Sequence, residues 1–400
     1  MFSCQNRYNS VKQPTEDPLV KQSARWIWQK TNYPHFTYDT KSIEPLVQCI
    51  SREQGYLIAF TRFLNDETLR MRQWESLSSE VLNSSAIEGE ILNRESVRAS
   101  VGRKLGLANM EHSRVADTHT DGIIDILIDA NTHYEGDLTL ERLFGWHNAL
   151  FPRGYSGFEK IIVADFRGSS KMEVVSGAIG REKVHYVAPP SDTLKDEMNA
   201  FLNWFNKQDS TLIKAAIAHL WFVVIHPFDD GNGRITRAIT DLVLSKIECS
   251  NFSKLYSMST SILKDRQGYY EVLDATTGLK PIKESDEGID ITIWIEWFLK
   301  TLLHALEDAK KSLGYIIDKT KFWDNHRNTG LNAREIKMLN KVLDIGMENF
   351  EGGITKRKYI AITKSSPRTA VRDLKELVDL GCIRVDPETK GKNTRYEIII

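Results

Sequence analysis

The segment 226–237, HPFDDGNGRITR, combines residue types that could act on a phosphate group. Gly231 and Gly233 lie in a small-residue loop before the predicted helix ITRAITDLVL, and a helix start offers free N–H groups and a positive dipole end to an anion. Arg234 and Arg237 are three residues apart, so both guanidinium groups lie on one helical face and could contact further phosphate oxygens. The spacing predicts a phosphate-binding site.

Two other side chains of this segment could carry the chemistry itself. Asp230 offers a hard carboxylate oxygen, the type of ligand that Mg²⁺ prefers, next to the predicted phosphate position. His226 ends the preceding apolar helix, and its ordinary pKa of about 6.5 suits it to accept a proton near neutral pH. A base, a metal ligand and an anion site together predict phosphoryl or nucleotidyl transfer, which depends mostly on positioning and charge stabilisation.

A zinc hydrolase is a less favoured interpretation of the same histidine. The sequence has no HExxH segment, and His219 and His226 are seven residues apart with no obvious third ligand. The four cysteines are scattered without the spacing of a metal site: Cys4, Cys49, Cys249 and Cys382.

The composition of the whole chain excludes some classes of function. Its 400 residues are enough for two or three domains, and 41% hydrophobic and 27% charged residues are ordinary for a globular protein. The net charge of −1 gives no overall field for nucleic acid or membrane. The first residues lack the apolar core of a signal peptide, and the apolar runs are too short to cross a bilayer. We therefore expect a reduced, cytoplasmic protein with no membrane contact.

Helical periodicity dominates from about residue 42 onward, and one stretch breaks it. Residues 166–190 place β-branched runs on both sides of SGAIG before a double proline, which predicts a β-hairpin that could act as a flap. The predicted helices after residue 110 are 113–132, 139–150, 191–206, 211–225, 234–248, 262–277 and 289–313.

The last part of the chain, 325–400, resembles a separate winged helix-turn-helix domain. Asn332 is a candidate cap of one helix, and Ser366 with Pro367 predicts the start of another before two short strands. The stretch 354–372 holds six Lys or Arg residues and no acid, so DNA binding through 354–400 is one interpretation. Protein contacts are the alternative, because such modules serve both purposes.

The segment HPFDDGNGRITR matches in full the Fic-family signature, H-x-F-x-D-G-N-G-R-x-x-R, and the resemblance covers roughly residues 80–300. Fic proteins characteristically transfer AMP from ATP to a hydroxyl side chain of a target protein. The resemblance implies that His226 deprotonates a target Ser, Thr or Tyr and that Asp230 ligates Mg²⁺ between the α- and β-phosphates. Its implied phosphate ligands are Gly231, Asn232 and Gly233, with Arg234 at the β-phosphate and Arg237 at the γ-phosphate.

The same resemblance gives roles to residues outside the signature. The 166–190 hairpin lies where Fic proteins carry a flap that docks the target chain by strand pairing. Thr277 stands where some relatives carry an asparagine, which is a departure on the adenine side. The residues that would line the nucleotide and target groove are Val184, His185, Tyr186 and Val187, and the pair expected beside adenine is Tyr269 and Tyr270.

The segment SSAIEGEIL resembles the inhibitory motif (S/T)xxxE(G/N) of some Fic proteins. Ser84 and Glu88 are four residues apart and share one helical face, and Gly89 follows the acid. The resemblance implies an inhibitory helix at about 80–92, in which Glu88 pairs with Arg237 and displaces the γ-phosphate of ATP. Because this helix precedes the catalytic core in the same chain, the inhibition would be intramolecular.

The expected fold is mainly α, with a Fic-type helical core, a β-hairpin flap and a C-terminal winged helix. The expected domains are 1–110, 111–310 and 325–400. The leading functional hypothesis is an autoinhibited protein adenylyltransferase that uses ATP and Mg²⁺, with an unidentified target protein, self-modification or a homodimer as its partners. The alternatives are another donor, removal of AMP, or a DNA-binding regulator whose Fic domain senses a nucleotide.

Overall fold

The structure is a computed structural model that describes residues 2–4, 24–62, 64–107, 118–176, 181, 183–248, 255–389, 391 and 394–400, with backbone alone for 2–4. The start of the helix predicted from residue 113, the residues GAIG (177–180) of the hairpin tip and Cys249 lie outside the described residues. The chain divides into two compact units, Met1–Leu306 and Glu307–Ile400.

The first unit is mainly helical, which confirms the expected fold class. Among the described helices, none combines the length and hydrophobicity that a bilayer span requires. The helices that begin in this unit are α1 (Thr40–Thr61), α2 (Asp66–Ile87), α3 (Arg94–Lys104), α4 (Thr118–Thr132), α5 (Leu140–Leu150), α6 (Leu194–Lys207), α7 (Leu212–Ile225), α8 (Asn232–Glu248), α9 (Met258–Lys264), α10 (Arg266–Thr277) and α11 (Thr292–Asn325).

Two predicted helix boundaries were wrong. The helix expected at 262–277 is divided into α9 and α10, because Asp265 leaves helical geometry and its carboxylate caps the second helix at the N–H of Gly268. The helix expected at 289–313 continues to Asn325 as α11, because the apolar spacing persists beyond Gly314.

The helix that was expected at 80–92 ends earlier, at Ile87. Gly89 adopts the left-handed conformation (φ +87°), and the N–H groups of Gly89 and Glu90 bond back to the carbonyls of Ala86 and Ser85. A glycine in this conformation is a common way for a helix to end. Glu88 is therefore the C-cap residue of α2, and Glu90 belongs to the turn that follows.

The first unit also contains short strands, and two of them form the expected hairpin. Its strands β5 and β6 pair antiparallel, and β1 adds to the outer edge of β5. A second small sheet has the order β2-β8-β7, and β3 pairs with β4. The strands of this unit are β1 (Phe2–Cys4), β2 (Phe36–Thr37), β3 (Tyr155–Ser156), β4 (Glu159–Lys160), β5 (Glu173–Ser176), β6 (Lys183–Val187), β7 (Glu284–Ser285) and β8 (Gly288–Asp290).

Helices α7 and α8 pack against each other at the centre of the first unit. Helix α7 is apolar on nearly every face, as a helix surrounded by protein must be. Buried residues also run through most of α8, including Arg234 and Arg237. The segment 226–231 connects the two helices, so the core of the protein holds both ends of this loop.

The second unit has its own apolar core, which includes Phe322 near the end of α11. Asn332 caps its first helix and Ser366 caps its third, with Pro367 as the first helical residue, as the sequence predicts. A sheet of order β10-β11-β9 completes the unit. Its elements are α12 (Ala333–Ile345), β9 (Ile354–Thr355), α13 (Lys356–Thr363), α14 (Pro367–Asp379), β10 (Ile383–Val385) and β11 (Arg395–Ile398).

Candidate active site

The loop between α7 and α8 is held by its own side chains. Asn232 accepts a hydrogen bond from the N–H of Phe228 (3.0 Å) and donates one to the carbonyl of the same residue (2.8 Å). The ring of Phe228 is fully buried and stacks on His147 at 4.2 Å. The Asn232 side chain therefore closes the loop, and any contribution of this residue to phosphate binding comes from its main chain at the start of α8.

The geometry of His226 fixes which ring nitrogen can act as a base. The residue caps α7 in the left-handed conformation (φ +51°), and its Nδ1 lies 3.1 Å from the carbonyl oxygen of Val223. A carbonyl can only accept, so Nδ1 carries the proton and Nε2 is the basic nitrogen. Burial lowers the pKa of His226 to about 4, so the ring is neutral at pH 7.

Arg167 supports the main chain of the loop from the foot of the flap. Its Nε donates to the carbonyl of His226 (2.8 Å), its Nη2 donates to the carbonyl of Pro189, and its backbone N–H donates to the carbonyl of Pro227 (2.9 Å). Burial lowers the pKa of Arg167 to about 10. The sequence analysis gave this residue no role, although it lies at the start of the segment 166–190 that was predicted as the hairpin.

Asp230 presents a partly exposed carboxylate at the mouth of the loop. Its Oδ1 accepts from the N–H of Gly231 (2.6 Å), and the hydroxyl of Ser156 donates to Oδ2. Arg234 Nη2 lies 3.8 Å from Oδ1. One accessible carboxylate beside a phosphate position is a donor set that fits Mg²⁺, which usually binds one or two carboxylates together with substrate phosphates.

Both arginines of α8 contact carboxylates from the end of α2. Arg237 Nη2 lies 2.8 Å from Glu88 Oε1, and Arg237 also donates to the hydroxyl and the carbonyl of Ser84, each at 2.8 Å. Arg234 Nη1 donates to Glu90 Oε2 at 2.9 Å. The Glu88 contact is the pairing that the resemblance implies. The sequence analysis missed Glu90, although it is the next acid after Glu88.

The glycines of the loop make room for these contacts. Gly231 has φ +81°, and a Cβ there would lie 2.9 Å from Leu150 and Phe151 side-chain atoms. A Cβ on Gly233 would overlap the carboxylate of Glu88. The space beside Gly233 is therefore open to an anionic group, and in this structure the Glu88 carboxylate lies there.

Burial acts on the pKa of Arg237 in opposition to its neighbours. Desolvation lowers this pKa, and the nearby Glu88 carboxylate with Tyr269 and Tyr270 raises it by more, so the net shift is upward. Within the part of the chain that the structure describes, the buried Nη1 atom of Arg237 has no hydrogen-bond partner. A buried guanidinium with an unused donor can accept a further anionic ligand.

A narrow cleft with a volume of about 70 Å³ opens beside His226. From the flap, His185, Tyr186 and Val174 line it, whereas Val184 and Val187 are not among its described lining residues. The pairing shifts register between Val174–Tyr186 and Val175–Val184, so a bulge at His185 interrupts the alternation of the strand and lets the neighbours His185 and Tyr186 both line the cleft. The other lining residues are Glu88, Val223, His226, Gly233, Tyr269, Tyr270, Leu273, Asp274 and Thr277.

Polar groups of α10 in the cleft contact the flap, α2 and α7. His185 Nδ1 lies 2.7 Å from Asp274 Oδ2, so the flap strand is joined to α10. The hydroxyl of Tyr270 donates to the carbonyl of Ile87 (3.3 Å), and that of Tyr269 lies 3.1 Å from His219 Nε2. Burial raises the pKa of both tyrosines, so they are neutral rings at the apolar end of the cleft.

Two parts of the chain match known domain families. Residues 137–244 match the Fic/DOC family, and residues 26–107 match a domain of unknown function, DUF4172. The chain therefore contains a Fic domain, which supplies the loop, the flap and α8. A solved Fic family protein from Desulfovibrio desulfuricans G20 shares the fold, with a TM-score of 0.50 and 20% identity over 91% of this chain and 97% of that one.

Two curated relatives are enzymes by name. The chain is 26% identical over 212 residues to the protein adenylyltransferase Fic of Nematostella vectensis, which covers 50% of this chain and 43% of that protein. It is 30% identical over 118 residues to a uridine 5'-monophosphate transferase of Xanthomonas campestris, which covers 27% of this chain and 21% of that protein. The chain thus spans less than half the length of these relatives.

Proposed function

We propose that the protein is a nucleotidyltransferase that transfers AMP from ATP to a Ser, Thr or Tyr hydroxyl of a target protein. The observation that carries the proposal is the neutral His226, whose Nε2 is the basic nitrogen and which lines one cleft with Glu88 and Gly233, next to the arginines of α8 in the sequence. The relatives named as protein adenylyltransferases favour ATP as the donor.

The chemistry follows from the positions of these groups. Nε2 of His226 takes the proton of the target hydroxyl, whose oxygen bonds to the α-phosphorus of ATP while the bond to the leaving pyrophosphate breaks. The main-chain N–H groups of Gly231, Asn232 and Gly233, together with Arg234 and Arg237, would stabilise the charge on the phosphates. Asp230 would hold Mg²⁺, which supplies charge neutralisation at the phosphate oxygens when bound.

We propose that the cleft takes the nucleobase between the tyrosines of α10 and the flap. Tyr269 and Tyr270 give it an apolar wall, and the Asp274–His185 pair gives it a polar edge. The flap strands would dock the target chain by main-chain pairing. This arrangement places the target hydroxyl near His226.

We propose that Glu88 inhibits the enzyme by occupying Arg237. The ion pair is buried on the arginine side, where 3% of the side chain is exposed. Loss of one partner of a buried charged pair typically costs about 3–5 kcal/mol. Because about 1.4 kcal/mol corresponds to a tenfold change in rate, loss of the γ-phosphate contact could lower turnover by about two or three orders of magnitude.

Labelling with α-³²P-ATP and Mg²⁺ tests the reaction and the inhibition together. We expect strong self-labelling or labelling of an added protein extract in Glu88→Gly, weak labelling in the wild type, and none in Glu88→Gly combined with His226→Ala. Equal labelling of the wild type and Glu88→Gly would refute the inhibition. Absence of label in every version would refute AMP transfer.

Transfer of another nucleotide is the second candidate, and the relative named as a uridine 5'-monophosphate transferase favours it. The same three proteins incubated with α-³²P-UTP would separate the two donors. Removal of AMP is a further variant of this chemistry, in which Glu88 would position a water. Release of AMP from a previously labelled target by the wild type, and not by Glu88→Gly, would identify it.

We propose that residues 325–400 form a winged helix that binds DNA through α14. Arg368 and Lys375 are exposed on this helix, whereas Arg372 lies 3.2 Å from the carboxylate of Asp373. Electrostatic binding would weaken steeply as salt increases. Fluorescence anisotropy of the full chain with a labelled duplex should show salt-sensitive binding that Arg368→Ala reduces. No binding at low salt would favour a protein-contact role for this unit.

A further inference from the structure

One turn at the end of α2 delivers two carboxylates to two arginines. Glu88, the C-cap residue, reaches Arg237 at 2.8 Å, and Glu90, two residues later, reaches Arg234 at 2.9 Å. The left-handed Gly89 makes this division, because it reverses the chain between the two acids. The N–H of Glu90 bonds back to the carbonyl of Ser85 (3.0 Å), which fixes the second acid to the helix as well.

The two arginines occupy successive positions along the proposed path of the phosphates. Arg234 lies in the first turn of α8, and Arg237 follows about 4.5 Å further along the helix axis. Arg234 is also the arginine close to Asp230, the candidate metal ligand, at 3.8 Å. A phosphate chain that begins at the helix start therefore meets Arg234 before Arg237.

We propose that Glu90 is a second inhibitory carboxylate, which closes the β-phosphate position at Arg234 independently of Glu88 at the γ-phosphate position. The names β and γ rest on the proposed nucleotidyl transfer. A carboxylate bonded to a guanidinium occupies the same donors that a phosphate oxygen needs, so the ligand must displace Glu90 before Arg234 can hold it. The turn 88–90 then covers both arginine positions.

The proposal predicts that nucleotides differ by their number of phosphates. A nucleoside diphosphate competes with Glu90 alone, because its terminal phosphate reaches Arg234 but not Arg237. A nucleoside triphosphate competes with both acids, and a monophosphate competes with neither. Glu88 alone would leave diphosphate binding untouched.

Isothermal titration of the full-length protein with ADP, ATP and AMP, each with Mg²⁺, tests this difference directly. We expect Glu90→Gln to tighten the binding of ADP and ATP by about tenfold. This value is at the lower end of the range for a hydrogen bond to a charged group, because the Glu90 side chain is 35% exposed. Binding of AMP should change less than twofold. Glu88→Gln should tighten ATP binding and leave ADP binding within twofold of the wild type.

Two controls separate this effect from general charge or folding changes. Glu95→Gln removes the same charge from the exposed first turn of α3 and should leave the affinity for all three nucleotides unchanged. Glu90→Ala also removes the neutral acceptor that glutamine retains, and it should tighten ADP binding at least as much. A thermal melt of each variant confirms that the folded protein is compared.

The proposal is overturned if Glu90→Gln leaves ADP affinity unchanged, if AMP gains as much as ADP, or if ADP binds no variant. These results are distinguishable from failure of the proposed reaction, since the titration requires no transfer. Selective tightening of ADP with no label in any variant would uphold the role of Glu90 and reject nucleotidyl transfer. Labelling of Glu88→Gly without a change in ADP affinity for Glu90→Gln would support nucleotidyl transfer and reject the role of Glu90.

Discussion

The loop 226–231 and the turn 88–90 meet at the same two arginines, yet they are held in different ways. The loop is closed by the Asn232 side chain on both main-chain groups of Phe228, and Arg167 bonds to the carbonyl of His226. The turn has side chains that are 29% and 35% exposed at Glu88 and Glu90, and the next residue, Ile91, is 94% exposed.

This difference separates the reacting groups from the groups that cover them. Buried hydrogen bonds on both sides of the loop keep His226 in a single tautomer and orientation, which proton transfer requires. The carboxylate side of each ion pair is about one third exposed, so an anionic ligand can approach and replace the acid at the arginine. We therefore expect that the turn 88–90 can be displaced from the two arginines without unfolding the protein.

Substitution of Asn232 should break the loop side of the comparison and produce the largest effect. In Asn232→Ala the N–H and the carbonyl of Phe228 lose their partners while they remain buried, and each such loss costs about 1–3 kcal/mol. We expect the free energy of unfolding in urea to fall by about 2–5 kcal/mol, and labelling activity to fall with it.

The turn supplies the matched control for this measurement. Glu90→Gln removes the charge of a side chain that is 35% exposed and keeps a neutral acceptor for the buried Arg234, so its cost should remain under about 1 kcal/mol. Equal costs for Asn232→Ala and Glu90→Gln would contradict the comparison, because the loop would then be no more firmly held than the turn.

A fall in pH should lower the stability of the folded protein through His226 in the loop, and we expect an effect of intermediate size. Burial lowers the folded-state pKa of His226 to about 4, and the positive charge of Arg167 acts in the same direction. The Glu88 and Asp230 carboxylates oppose the shift. Between about pH 6.5 and 4 the unfolded chain binds a proton at His226 that the folded chain does not bind. This stability contribution is therefore complete above pH 6.5 and decreases as the pH falls toward 4.

Urea unfolding at several pH values measures the contribution of His226. The wild type should lose about 1.4 kcal/mol per pH unit through this residue between those limits, and His226→Asn should show a slope that is smaller by this amount. His147 has its pKa lowered to about 4 by the same cause, so part of the slope should persist in the variant. An unchanged slope in His226→Asn would show that the histidine is not buried as a neutral ring.

The sequence predicted the loop 226–231 better than it predicted the contacts of the turn 88–90. The twelve residues of 226–237 are contiguous, so their spacing follows from a helix, a glycine turn and a second helix. The contact of Glu90 with Arg234 spans 144 residues, and that of Ser156 with Asp230 spans 74. Contacts at such separations depend on how α2 and β3 pack against the core, which local patterns do not specify.

Some of the missed features did have a local signal. Asp265 with Gly268 three residues later is a capping pattern that predicts the break between α9 and α10. Gly89 directly after Glu88 predicts the end of α2, because glycine is the usual residue just past a helix. The exclusion of Val184 from the cleft required knowledge of the bulge between β5 and β6, which the sequence pattern does not specify.

Substitution of Gly233 tests the contact between the loop and the turn, and its expected effect on stability is the smallest. The sign of this effect should differ between the wild type and a Glu88→Gly background. A Cβ at this position would overlap the Glu88 carboxylate, so Gly233→Ala should destabilise the wild type as it displaces that side chain. In a Glu88→Gly background the overlap is gone, and alanine inside α8 should stabilise the protein by up to about 1 kcal/mol relative to glycine. A double-mutant cycle on the free energy of unfolding measures this coupling. The same sign in both backgrounds would mean that Glu88 does not occupy the space beside Gly233, and the turn would then have to cover the arginines in another way.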